Sequence, residues 1–395
     1  KSNKLEGKIV DDIDILENSL NLDLYSNNLS VNFNTTIYED LNKLKNDRFE
    51  YIFPKILLTK NFDNITNLNG NFSLISDSEI RQYNTNVVEK ENINDFIFNS
   101  NNKINKFGFL NEHQFLLRNA NSENNNSNYK DKKHFYLSSM YQYNSTLPLI
   151  KESDKYRNIL KPRLSLKAAP NHTKNERNLE RKTDITNIYS LNRITGNSSV
   201  EGGLSLIYGL DYSALNKSKN REVLNFKVAN NFRFRENDDL SSINQLDEKT
   251  SNIFNEISYQ PSDFLFLKYN SSIKNNLKDI AYESLKSEFS INNFVTEFDY
   301  INENNTSNKN SYLSNKSSYS SGKFNNFQFS TRKNKTKDLT EYYNLMYQYK
   351  NDCLAASIEY NKNFYSDGDL KPQESILFKL TIIPFGGASS PNLKQ

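Results

Sequence analysis

Few side chains in this sequence could carry out chemistry. Histidine occurs only at His113, His134 and His172, and no two of them have the spacing of a metal-binding pair. A single cysteine, Cys353, excludes a disulfide framework or a thiolate metal site built within the chain. No cofactor and no metal is therefore expected. His134, in "KHFYL", is the one histidine in a strand-like run, so an outer-membrane phospholipase-like enzyme would need a serine beside it on a neighbouring strand. A structural histidine is the simpler reading. Positive charge gives the stronger signal, because residues 161–193 hold eight Lys or Arg against Glu176, Glu180 and Asp184. Guanidinium groups pair well with phosphate and carboxylate, which makes Arg177, Arg181, Lys182 and Arg193 candidates for guiding an anionic substrate. The alternative is an ordinary solvated loop. Immediately after comes "VEGG". Here Glu201 could pair with Arg193 across the base of the loop, and Gly202 and Gly203 would let the chain turn sharply into a strand.

Composition narrows the scaffold that must hold these residues. The 395 residues are 36% hydrophobic and 25% charged, with net charge +3 and mean hydropathy −0.79. That is little apolar material for a large water-soluble core, and the small net charge suggests no nucleic-acid partner. Yet 24 Tyr and 26 Phe are too many for a disordered chain, which has nowhere to bury rings. No apolar run is long enough for a membrane-spanning helix. A transmembrane β-barrel satisfies both facts, because each strand needs only one apolar face. The runs fit. In "FVTEFDY", Phe294, Thr296, Phe298 and Tyr300 alternate with Val295, Glu297 and Asp299; "YNLMYQY" and "FQFSTR" alternate in the same way. A period of two puts one set toward lipid and the other toward a wet lumen, with Tyr and Phe near strand ends as an interfacial girdle. A soluble sandwich or solenoid would need both faces covered, and too few aliphatic residues are present for that. At one strand per roughly 20 residues the chain holds about 18–19 antiparallel up-and-down strands.

The connections give an orientation. Counting back from a last strand near 376–385, "KNDC", "SSGK", "QPSD" and "ALNKSKNR" read as short turns, while "KNKTKDLTE", "NENNTSNKN" and "ENDDLSSINQLDEK" read as longer loops. Bacterial barrels place short turns and both chain ends in the periplasm and longer loops outside. On that count the longest connection, residues 171–199, belongs to the outer surface. Cys353 lies on a periplasmic turn, where oxidising conditions invite a disulfide. The chain starts at Lys1 without Met or an apolar leader, and is read as incomplete at its N-terminus.

Several of these segments occur together and in order in a known family. "LKPRLSLKAAPN", "SLNRITGNSSVEGGLSLIYGLDY", "YQPSDFLFLKYNSSI" and "YYNLMYQYKNDCLAASIEYNKNFYSDGDLKPQESILFKLTIIPFG" resemble the C-terminal barrel of the LptD family of lipopolysaccharide-assembly outer-membrane proteins, also called organic solvent tolerance proteins. The alphaproteobacterial branch is the most similar. The resemblance is strongest over residues 157–386, the expected barrel region being 1–387 with a short tail at 388–395. It implies part of a barrel of about 26 strands that inserts lipopolysaccharide into the outer leaflet without catalysis. The implied partners are lipopolysaccharide, an LptE-type plug lipoprotein, an LptA-type periplasmic bridge acting through an N-terminal domain, the outer-membrane insertion machinery and outer-membrane lipids. The resemblance further implies that Cys353 pairs with a cysteine of that N-terminal domain. Phe378, Leu380 and Phe385 in the final strand are candidates for the insertion signal. An outer-membrane solute channel is the alternative from another class, and would require an eyelet of charged side chains on a folded-in loop.

Overall fold

The computed structural model describes residues 15–41, 43, 47–62, 69–83, 87–125, 133–170, 183–194, 199–304, 309–364, 372–383, 386–389 and 393–394. They form one antiparallel sheet of 23 strands. Four of these strands are four residues or shorter, and the other nineteen are 9 to 16 residues long. Each long strand pairs with the next in the chain, from Ile15–Ser26 against Leu29–Asp40 to Leu354–Asn363 against Gln373–Ile382. This is the up-and-down meander the alternation predicts. Among the described residues the sheet does not close, because Ile15–Ser26 pairs only with Leu29–Asp40. At the other edge, Gly386–Ser389 and Leu393–Lys394 fold back onto Gln373–Ile382. The described backbone of the expected tail, residues 388–389 and 393–394, is therefore part of the ladder.

The two faces divide by chemistry. In the strand Gly203–Asn216, Leu204, Leu206, Tyr208, Leu210 and Tyr212 point one way, and Ser205, Ile207, Gly209, Asp211 and Ser213 point the other. Leu204 and Tyr208 are exposed while Ser205 and Ile207 are buried, so the apolar set faces outward, where lipid replaces water. Farther along, Phe294, Tyr319, Phe327, Tyr347, Ile358 and Phe378 stand in register across six strands. The Phe327 and Tyr347 ring centroids are 4.9 Å apart. This row lies toward the short-turn end, and its five aromatic side chains make a girdle that Ile358 interrupts. The inward face is charged and laddered with ion pairs, including Lys55–Glu79 at 2.8 Å, Lys227–Glu256 at 3.0 Å, Lys286–Glu297 at 2.9 Å and Arg332–Glu341.

One outward region is polar. Ser76, Ser78, Asn92, Asn94, Asn119 and Asn121 share the lipid-facing side of three neighbouring strands. They bond to one another: Asn92 Nδ2 donates to Ser78 Oγ at 2.6 Å, and Asn121 Nδ2 to Asn119 Oδ1 at 2.7 Å. Amides can stay in an apolar belt when they satisfy each other.

Connections alternate as expected in the C-terminal half. Short turns at 217–220, 263–264, 292–293, 322–324 and 351–353 share one end of the sheet, and the long connections 170–202 and 234–252 share the other. In the N-terminal half the contrast fades, with 101–109 and 147–155 on the short-turn end.

Candidate functional site

The described parts of the longest connection, residues 183–194 and 199–202, do not stand on the outer surface. They turn inward and pack on the lumenal face of the wall. The reason lies in the aliphatic residues of "DITNIYSL", which would be costly in water. Ile185 and Ile188 pack with the inward residues Ile207, Ala229 and Phe254, and Tyr189 joins them. Val200 and Leu191 pack with Leu116, Met140, Ile97 and Ala169. Local turns shape the segment. Asp184 Oδ1 accepts from the Thr186 and Asn187 amides at 2.8 and 3.3 Å, and Asn192 ties the two halves, its Oδ1 accepting from the Ile194 and Glu201 amides, both at 3.3 Å.

Wall side chains then grip the loop through its carbonyl oxygens. Gln142 Nε2 donates to Tyr189 O at 2.8 Å, Lys167 Nζ to Ser190 O and to Leu191 O at 3.2 Å, and Arg118 Nη1 to Ser199 O at 3.1 Å. Arg118 is itself held by Asp95 through two bonds of 2.7 and 2.6 Å. Arg163 lies over the Tyr189 ring, 3.9 Å from its centroid, a cation–π contact.

At the base of the loop sits an ion cluster with almost no exposure. Arg193 Nε donates to Glu201 Oε2 at 2.8 Å and its Nη2 to Oε1, while Arg233 Nη2 donates to the same Oε1 at 2.6 Å. The side chains of Arg193, Glu201 and Arg233 are 1%, 3% and 1% exposed. Arg193 Nη1 also reaches Asn231 Oδ1 at 3.1 Å, and Arg233 reaches Gly202 O at 2.8 Å and Leu246 O at 3.0 Å. Burial pushes the Glu201 carboxyl up, but Arg193, Lys167 and Arg233 outweigh it and hold the group well below the usual carboxylate range. Gly203 follows at φ +97°, and a Cβ there would stand 2.9 Å from Arg233 Nη1. Only glycine suits both the left-handed backbone and that approach.

The LptD family, described as LPS transport system D, matches residues 1–339. This chain belongs to the LptD family. No curated protein matches it. Among solved structures it is similar to the siderophore receptor PirA from Acinetobacter baumannii, at 8% identity and TM-score 0.43, covering 93% of this chain and 71% of that one. It is also similar to a mutant ferric enterobactin receptor PfeA from Pseudomonas aeruginosa, at 10% identity, TM-score 0.42 and coverage of 95% and 71%. A mutant Rh. blastica porin aligns at 8% identity and TM-score 0.28, covering 70% of this chain and 86% of the porin. As an LptD-family member the chain is part of an outer-membrane β-barrel of lipopolysaccharide transport.

The other residues singled out in the LptD-family sequence fall in separate places. Arg177, Arg181, Lys182 and His172 lie outside the described residues, as does Phe385. Cys353 is exposed and unpaired in the turn after Leu339–Lys350, at the short-turn end. Phe378 and Leu380 face outward. His113 Nδ1 lies 2.7 Å from Tyr141 Oη on the outward face. His134 stands directly opposite Ser122 on the lumenal side, and Ser122 is flanked on its other strand by Glu91. That order puts serine in the middle, whereas a triad needs histidine between acid and nucleophile. Sequence reasoning missed Arg118, Gln142, Tyr189, Gly209 and Arg233. The only sequence mark of the four wall residues is being a large polar residue, or a glycine, at an inward position of a strand, and Tyr189 is marked only by its place in the aliphatic stretch "DITNIYSL".

Proposed function

We propose that this chain forms the membrane wall of a lipopolysaccharide translocon, releasing the acyl part of the glycolipid into the outer leaflet while its sugar passes the lumen. The observation that carries this reading is the LptD-family match over residues 1–339 on a wall with lipid-facing rings and a charged interior. An LptA-type bridge would deliver the substrate through an N-terminal domain, and an LptE-type lipoprotein would occupy the lumen. The insertion machinery would read the last strand at Phe378, Leu380 and Phe385. The short-turn end and both chain ends face the periplasm in this reading, and no catalysis is involved.

Arg177, Arg181 and Lys182 guide the anionic sugar at the exit. Their bonds to phosphate or carboxylate are worth about 1.5–3 kcal/mol when well formed and less when exposed. Replacing the three by Gln is expected to lower photo-crosslinking of lipopolysaccharide from neighbouring loop positions while heat-modifiability of the barrel is unchanged. Arg193 stays intact in this test, because its buried guanidinium holds Glu201. Equal crosslinking in correctly inserted protein would overturn the guiding role.

Cys353, on a periplasmic turn in this reading, is expected to be oxidised in the full-length protein, so reductant should shift the band on a denaturing gel. Quantitative thiol labelling in membranes never exposed to reductant would contradict this.

A solute channel gains one specific observation, the inward loop. In a channel, however, the charges of such a loop line a wet constriction, and here Arg193 and Glu201 are spent on each other out of reach of solvent.

A further inference from the structure

We propose that residues 183–194 and 199–202 are a built-in stand-in for anionic substrate, closing the lumen by occupying a concealed anion site formed by Arg118, Gln142, Lys167 and Arg233 on the wall. The proposal rests on the translocon reading for the identity of the anion.

The argument starts from what the loop offers the wall. Between these four wall residues and the described loop, polar bonds end on the carbonyl oxygens of Tyr189, Ser190, Leu191, Ser199 and Gly202 and on the carboxylate of Glu201. The wall therefore presents N–H donors, three of the four cationic, converging on a string of electronegative atoms. A phosphorylated or acidic saccharide presents the same polarity, with formal charge where the loop has mostly dipoles, and charge-assisted bonds are the stronger kind. Such a ligand could replace the loop oxygens one for one. The donors' geometry is fixed in advance. Arg118 is pinned by Asp95 through two nitrogens, leaving Nη1 aimed at the loop.

The loop also has the means to leave. Glu201 is the carboxylate that bonds Arg233, and it sits directly before Gly202 and Gly203, the latter already at φ +97°. Rotation at these glycines would carry Glu201 and the loop off together. Arg193 travels with Glu201, so the pair between them can persist while Arg233 is released to the wall. The cluster is therefore a clasp whose opening uncovers a cation in the lumen. A loop held only by apolar contacts would uncover none.

The test uses the full-length protein with its lumenal partner, reconstituted in planar bilayers. Glu201→Gln keeps the shape of the clasp and removes its charge. The closed-to-open ratio is expected to fall by on the order of 100-fold, the scale of a broken buried ion pair, seen as long-lived conductance steps rare in the parent protein. Deacylated lipopolysaccharide added to the bath should block these steps. In Lys167→Met/Glu201→Gln the block should need at least about tenfold more of it, one lost charged contact. Parent-like conductance of a heat-modifiable Glu201→Gln protein would overturn the closing role. Block unaffected by Lys167→Met would overturn the anion site. If inorganic pyrophosphate blocks in a Lys167-dependent way but deacylated lipopolysaccharide does not, the concealed site stands and the lipopolysaccharide reading falls.

Discussion

Replacing Glu201 with leucine is expected to be among the most damaging single changes in this barrel. The substitution leaves Arg193 and Arg233, each about 1% exposed, buried without their shared carboxylate. Breaking a buried pair from one side costs about 3–5 kcal/mol, because the remaining charge keeps its desolvation penalty and loses its partner. Two cations around one anion make the case more severe than a simple pair. Replacing all three, as Arg193→Met/Glu201→Leu/Arg233→Met, should recover most of the loss, since burying a charged cluster is itself costly. Recovery should be incomplete, as Asn231, Gly202 and Leu246 lose donors from the two arginines. Proteolysis within the connection and the temperature of heat-modification measure both variants. A single variant as stable as the parent, or a triple variant as unstable as the single, would refute the argument. The same cluster fixes a pH dependence. The Glu201 pKa is depressed in the folded protein, chiefly by Arg193, then Lys167 and Arg233, against the opposing effect of burial. Its contribution is therefore fully present above the ordinary carboxylate pKa and is lost as pH falls toward the depressed one. Hydrogen exchange of the loop should be protected equally from mildly acidic to neutral pH, after allowance for intrinsic rates, and should lose protection only in stronger acid.

The wall was legible in the sequence because its cause is local. A period of two is written directly into "FVTEFDY" and "YNLMYQY", and the expected 18–19 strands stand beside nineteen long ones. The turn count succeeded partly through parity. The hairpin turn Asn292–Asn293 and the loop 274–279 escaped the count between "NENNTSNKN" and "QPSD". A turn and a loop lost together leave every later connection on its proper side. Asn292 at φ +53° is the kind of residue that marks such a turn. The site was less legible, because its partners are distant in sequence. Arg193 and Glu201 are eight residues apart and could be paired on paper. Arg233 lies 32 residues beyond Glu201 and Arg118 lies 81 residues from Ser199. Only the pairing of the strands and the inward fold of the loop bring them to one place. The inward turn of the loop was hidden for another reason. Its charge pointed to water, while four aliphatic residues, Ile185, Ile188, Leu191 and Val200, decided its position. Burying such side chains is worth about 1.5–3 kcal/mol each.

Gly209→Ala is expected to loosen the same loop from the opposite side, without touching an ion pair. Gly209 faces inward on Gly203–Asn216, opposite Arg163 and Ala229. A Cβ there would stand 2.2 Å from Tyr189 Oη, 2.4 Å from Val228 O and 3.0 Å from Ala229 Cβ. Tyr189 cannot easily yield, since Arg163 covers its ring and Gln142 holds its carbonyl. The neighbouring backbone oxygen has still less freedom. Overpacking of this kind costs about 1–3 kcal/mol, and the most movable element, the loop, should give way first. Tyr189→Phe in the Gly209→Ala background removes the nearest atom and should restore part of the docking, leaving the strain against Val228 O. Hydrogen exchange at residues 185–191 should therefore rise in Gly209→Ala and fall back partway in the double variant. If Gly209→Ala instead lowers the heat-modification temperature with the loop fully protected, the contact with Val228 O governs the site and glycine serves the sheet alone. If neither readout changes, the loop is not seated against Gly209 at all, and the inward packing of Tyr189 is refuted with it.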